Sequence, residues 1–197
     1  MIRSASGLAA ILAFLPLGLS AQTSHTALEA PGAPVAVLST ALYNDQANLR
    51  EPGDSAVARV GGTVLRARLA DSLRGQLLDP RITDSLERTP DMRALGGGVA
   101  CNVKVACALA VARAQGARWV VMSKASKTSN LIWLLSAQLI RVEDGSIVLD
   151  DSTELKGEPV QMVRVGMRQF ADRVRRTVRA GGVATNYPYG EPVDPSL

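Results

Sequence analysis

The tightest constraint on the fold of this chain is a single dipeptide. Asp144-Gly145 stands between two strand-like apolar runs, Asn130 to Val142 and Ser146 to Leu155. Asp-Gly tolerates the positive φ of a tight hairpin, so the two runs read as neighbouring antiparallel strands. The segment after them, Gln161 to Ala180, carries Val163, Met167, Phe170, Val174 and Val178 at steps of four, three, four and four. That is the spacing of one buried helix face. A hairpin with an apolar face needs cover, and such a helix supplies it.

The preceding sequence alternates in the same way. Val35 to Leu42 and Trp119 to Met122 are short apolar runs that read as buried strands. Asn44 to Asp54 is polar, with Pro52 and Gly53, and reads as a loop. Leu65, Leu69, Leu73 and Leu77 predict a helix over Thr63 to Leu77, with a short strand at Gln76 to Asp79. Pro80 stops helix continuation, and Ile82 to Glu87 predicts one or two helical turns. Gly96-Gly97-Gly98 is a flexible break before an Ala-rich helix from Val103 to Gln115, which Gly116 ends. The expected fold class is α/β. It is a single-domain sandwich with a mixed sheet of about five strands, including the C-terminal hairpin, covered by helices.

The ends read differently. Arg3, the apolar run Leu8 to Leu19 and the small residues Ser20 and Ala21 read as a cleavable secretory signal. A bilayer span needs roughly 18 apolar residues, and Pro16 interrupts this shorter run. No Cys follows it to carry a lipid. The expected organisation is a signal peptide at 1–21, a flexible leader at 22–33, the α/β domain at 34–180 and a disordered tail at 181–197. The expected location is periplasmic or secreted, with no stable membrane anchor after signal cleavage.

Composition excludes much chemistry. His25 is the only histidine and lies in the leader, and Cys101 and Cys107 are the only cysteines. A Ser-His-Asp triad, a histidine-rich zinc site and a four-cysteine cluster are ruled out, and no metal or cofactor is expected. Gly96 to Gly98 is not followed by a Gly-Lys-Ser/Thr, so it is no phosphate loop. The formal charge of +4 falls to +3 without Arg3, too mild for a nucleic-acid partner. Asp144, Asp150 and Asp151 read as turn and surface residues.

Three constellations remain. Cys101 and Cys107 are six residues apart, and one regular helix would separate their Cα atoms by about 9 Å. A disulfide needs roughly 4.4–6.8 Å, so pairing requires a helix that starts between them or a first turn that is distorted. The pair reads as a structural disulfide worth about 1–3 kcal/mol, with two buried thiols or a redox dithiol as the alternatives. Ser123 to Asn130, SKASKTSN, crowds serines and lysines at the junction of two strands. It reads as a polar turn. The catalytic alternative is a Ser-Lys hydrolase using Ser126 or Ser129 with Lys124 or Lys127. The last helix carries Arg164, Arg168, Arg173, Arg175, Arg176 and Arg179 away from its apolar stripe, a basic surface.

Cys101-Asn102, Cys107, the Ala-rich helix, Trp119-Val120-Val121 and Lys127-x-Ser129-Asn130-Leu131-Ile132 together resemble an exported bacterial family. It is catalogued as domain of unknown function 2380, also 3280. The likeness covers about residues 34 to 178. Its architecture is similar to the amino-terminal domain of TolB and the core of curli-secretion proteins. The resemblance implies a noncatalytic binding or assembly module of the cell envelope with an envelope protein as partner. Lys127, Ser129 and Asn130 are the expected contact residues, joined by Arg168 and Arg175 of the last helix. A small-ligand carrier is a further alternative, which calls for an apolar pocket under the sheet.

Overall fold

The computed structural model describes residues 33–44 and 51–183. The expected signal peptide, leader residues 22–32 and tail residues 184–197 lie outside them. Within them, β1 (Val35–Val37) and β2 (Ala41–Asn44) lead into α1 (Asp54–Ser72). Then come α2 (Pro80–Glu87), α3 (Pro90–Gly96), a 3-10 turn at Cys101–Val103 and α4 (Val105–Ala114). After them follow β3 (Trp119–Lys127), β4 (Trp133–Arg141), β5 (Ile147–Leu155) and α5 (Pro159–Arg179). The fold is α/β with one mixed five-stranded sheet.

β1 and β2 lie along the same edge of β3 and parallel to it, Val35 opposite Trp119 and Asn44 opposite Lys127. They are one apolar run, as expected, broken at Leu38–Thr40. β4 and β5 follow as antiparallel neighbours on the other side of β3. The expected strand at Gln76 to Asp79 is reduced to a single parallel bridge between Leu77 and Val35. Gly145 has the positive φ of 74° that the hairpin turn requires.

Alternation along the strands assigns two faces. Val35, Val37, Trp119, Val121, Leu135, Leu139 and Leu149 face α1 and α5, which present Leu65, Leu69, Val163, Met167, Phe170, Val174 and Val178. Every stripe residue expected on the last helix is buried there. The opposite face holds a smaller core, in which Ala36, Leu38, Val120, Met122 and Ile140 meet Ala108, Leu109 and Ala112 of α4. The small side chains of α4 let it lie close to the sheet.

Several expected boundaries move; β4 starts at Trp133 rather than Asn130, and α4 at Val105 rather than Val103. The helix predicted from Thr63 starts at Asp54 instead. Gly61 and Gly62 lie within the added turns, where α1 passes close to its neighbours. A Cβ on Gly61 would lie 2.9 Å from Val163 Cγ2, and one on Gly62 would lie 3.1 Å from Thr40 Oγ1. The helix tolerates their backbone cost of about 1 kcal/mol each because close approach buries more on both sides. β3 also runs on to Lys127, past the expected end at Met122. Ser123 and Lys127 are buried within the strand, on the face toward α1.

Ala33, placed in the leader by sequence, is buried in the larger core. Gly181–Val183, placed in the tail, close the end of α5, and Gly182 N–H donates to Thr177 O at 2.8 Å. Among the described residues, no single helix is long and apolar enough to cross a membrane.

Candidate functional site

Lys127 closes β3 directly beneath the start of α1. Its side chain is 2% exposed. Nζ donates to both carboxylate oxygens of Asp54, at 3.2 and 3.3 Å. It also lies 3.1 Å from Glu51 Oε2 and 5.7 Å from the ring of Trp133, its register partner on β4. Asp54 belongs in the first turn of α1, where the helix dipole favours a negative charge, and it also accepts Glu51 N–H at 2.8 Å. Burial pushes the Lys127 pKa down, but the hydrogen bonds and charges of Glu51 and Asp54 outweigh it and hold the pKa above the usual lysine value. Lys127 is therefore a fully partnered ammonium that ties the end of β3 to the start of α1. An open cleft of about 440 Å³ lies beside it, lined by Leu42, Glu51, Pro52 and Ser55.

The turn after Lys127 is tightly held. Thr128 and Ser129 N–H both donate to Ile132 O, at 3.0 and 3.3 Å. Ser129 Oγ accepts Leu131 N–H at 3.2 Å and Ile132 N–H at 3.0 Å. The role of Ser129 is to fold this turn, and Asn130 stands exposed at its apex. Leu131 is 89% exposed and Ile132 is 41% exposed. Tyr43, on the neighbouring β2, is also exposed, with Lys124 Nζ 5.4 Å from its ring centre.

The contacts of a Ser-Lys dyad are not formed here. Lys127 is held by carboxylates. Ser126 lies on the opposite face of β3 from Lys127, in register with Tyr43 and Leu134. Lys124 stacks over Tyr43, and the lone pairs of Ser129 Oγ face two backbone amides. A desolvated neutral lysine beside a serine is what that chemistry demands.

The arginines of α5 divide into two groups. Arg173 pairs with Asp151 of β5, and Arg179 donates to Ser72 O at 3.1 Å. Across the helix interface, Arg68 of α1 meets Asp172 at 3.0 Å. These contacts fasten α5 to its neighbours. Arg164 and Arg168 face solvent, with Arg168 Nε on Arg164 O, and Arg175 is half-buried. The α5 residues are separate from the Lys127 turn in sequence, and no contact joins Arg168 or Arg175 to it among the described residues.

A second polar cluster escaped the sequence analysis. At the break between β1 and β2, Ser39 N–H and Oγ donate to the carboxylate of Glu87 at 2.8 and 2.5 Å. Asn102 Nδ2 donates to Ser39 O and to Ser39 Oγ. Arg66 donates to Val37 O at 2.9 Å and pairs with Asp84. Thr40 Oγ1 and Ser123 Oγ share a hydrogen bond of 2.7 Å. Burial pushes the Glu87 pKa up, against the two hydrogen bonds from Ser39 that lower it. The visible signal for this cluster was Asn102 beside Cys101; nothing in the local sequence links it to Ser39, 63 residues away. Cys101 and Cys107 are joined as a disulfide with Cα atoms 5.1 Å apart, across the junction of the 3-10 turn and α4. The helix does start between them.

No protein-family profile matches the chain, and no curated protein does. Solved structures do match. The C-terminal domain of LpoB from Salmonella enterica aligns with a TM-score of 0.43 at 18% identity, over 64% of this chain and 84% of that one. A PelC dodecamer subunit from Paraburkholderia phytofirmans aligns at 0.40 and 15% identity, over 71% and 86%. TolB from Acinetobacter baumannii aligns at 0.42 and 16% identity, over 74% of this chain and 28% of that one. TolB, an architecture expected from the sequence, is thus among the structures this chain is similar to. The likeness is one of fold alone.

Proposed function

We propose that this protein is an exported, noncatalytic binding or assembly module of the cell envelope. It docks an envelope protein through the turn Thr128–Ile132. The observation that carries this reading is the apolar pair Leu131 and Ile132, held out from the sheet on a turn whose backbone is fixed by Ser129. An exposed apolar pair on a rigid support loses little entropy when it binds, which favours recognition. Lys127 contributes by anchoring the base of the turn through Asp54 and Glu51, and Asn130 offers a free amide at its apex. Arg168 and Arg175 form a secondary basic surface for an acidic partner face. Export, inferred from residues 1–21, and the resemblance to an exported family support the compartment.

Site-specific photo-crosslinking in intact cells tests this reading. A crosslinker at position 131 is expected to trap one reproducible envelope protein, and one at exposed Glu143, on the hairpin turn, is not. Ile132→Asp is expected to abolish the adduct while the fold stays intact by circular dichroism. Equal capture from both positions, or none from 131, overturns the reading.

A further inference from the structure

The Cys101–Cys107 disulfide joins two residues six positions apart. Between the two cysteines lies Asn102, 3% exposed, whose amide reaches the backbone oxygen and hydroxyl of Ser39. Ser39 sits at the one place where the first apolar run stops pairing as a strand, between β1 and β2. The partner on the other side of Ser39 is Glu87 at the end of α2. Ser39 is thus gripped by one side chain from α2 and one from the disulfide loop. Cys101, Cys107 and Val111 form their own small apolar cluster with Leu86 and Met92, apart from the two cores on the sheet. The disulfide therefore packs in a cluster of its own, separate from the two cores on the sheet.

We infer that the disulfide is a redox-dependent clamp on the β1–β2 break, acting through Asn102. In the oxidised protein the 3-10 turn holds Asn102 against Ser39. Reduction by an exported dithiol converts the disulfide to two thiols, while the reductant becomes a disulfide; two electrons and two protons move from reductant to Cys101 and Cys107. The 3-10 turn then keeps only its backbone hydrogen bonds and the packing of its small apolar cluster, and Asn102 leaves Ser39. Ser39 loses Asn102 and keeps only Glu87 as a side-chain partner, so the break and the short β2 strand open locally. The environment that faces Glu87 comprises Ser39 from the break, Asp84 from its own helix and Arg66 from α1. This inference stands apart from docking at Thr128–Ile132, since it concerns the other end of β2.

Amide hydrogen exchange on the full chain, oxidised and then reduced with dithiothreitol, tests it. Protection of the Ser39 to Tyr43 amides is expected to fall by about tenfold or more on reduction, while the β4 amides Leu135 to Leu139 keep theirs. Oxidised Asn102→Ala is expected to show the same local loss. Reducing that variant is expected to add less than about twofold at Ser39 and Thr40. Unchanged exchange at Ser39 to Tyr43 on reduction overturns the clamp. So does a uniform loss across the sheet, which makes the disulfide a global staple. Full additivity of reduction and Asn102→Ala removes Asn102 from the link. A Cys101→Ser/Cys107→Ser double variant repeats the comparison without reductant, so a failure of chemical reduction is told apart from a failure of the clamp.

Discussion

The two faces of the sheet are built differently. On one face, two long helices, α1 and α5, cover the strands from end to end, and large side chains such as Trp119, Phe170, Met167 and Leu139 fill the space. On the other, the ten-residue α4 covers one end only, through alanines and Leu109. Towards the opposite end of that second face stand Tyr43, Lys124, Ser136, Gln138, Ser152 and Glu154, in rows set by strand register. Thus β3 treats its two lysines in opposite ways. Lys127 points under α1 and is buried with Asp54, and Lys124 points to the uncovered face and rests on Tyr43. The difference teaches that helix cover, not residue type, decides which polar side chain becomes structural.

That contrast can be broken by measurement. Phe170→Ala empties the thick core, and a loss of about 3–5 kcal/mol is expected in chemical denaturation. Leu109→Ala on the α4 side is expected to cost less, about 2 kcal/mol, because that site lies nearer solvent and relaxes more easily. Equal losses would erase the asymmetry between the faces. Gly61→Ala sharpens it further. The added Cβ meets Val163 Cγ2 at 2.9 Å, and a net loss of about 1 kcal/mol is expected despite the better helix propensity of alanine.

A smaller effect is expected at the hairpin turn. Hydrogen bonds from Ser146 and the nearby Arg141 hold the Asp144 carboxyl at about 2, below its ordinary 3.8. A lowered carboxyl pKa stabilises the fold above the unfolded value and stops doing so as the pH falls through the folded one. The thermal midpoint is therefore expected to drop between about pH 4 and pH 2, and Asp144→Asn is expected to flatten that part of the profile. The smallest effect is expected at the docking turn. Leu131→Ser, at a residue 89% exposed, is expected to change stability by less than about 0.5 kcal/mol. A larger loss would make Leu131 part of the core and remove it from the docking surface.

Much of this molecule is local in origin. The period of Val163, Met167, Phe170, Val174 and Val178 defines the buried side of α5 without reference to anything it touches. Asp144-Gly145 sets the β4–β5 hairpin through backbone freedom at Gly145. Pairing of Cys101 and Cys107 requires a helix start between them or a distorted first turn, and the structure has the helix start. These features follow from residues within one turn or one strand of each other, so periodicity and turn chemistry reveal them.

Other features rest on contacts between distant residues. Ser123 to Lys127 reads as a polar loop because a buried strand lysine makes sense only with Asp54 present, 73 residues away. The close approach of Val163 to Gly61 and of Thr40 to Gly62 is invisible along the chain. Ser39, Glu87 and Asn102 carry no shared pattern, since each belongs to a different element. The sequence by itself determined the helix stripe, the hairpin and the class of fold, because those depend on the period of burial along one element. Only the tertiary structure decided which lysine is locked, which serine folds the turn and which asparagine grips the strand break. Those outcomes depend on which elements the packed core brings within hydrogen-bond distance.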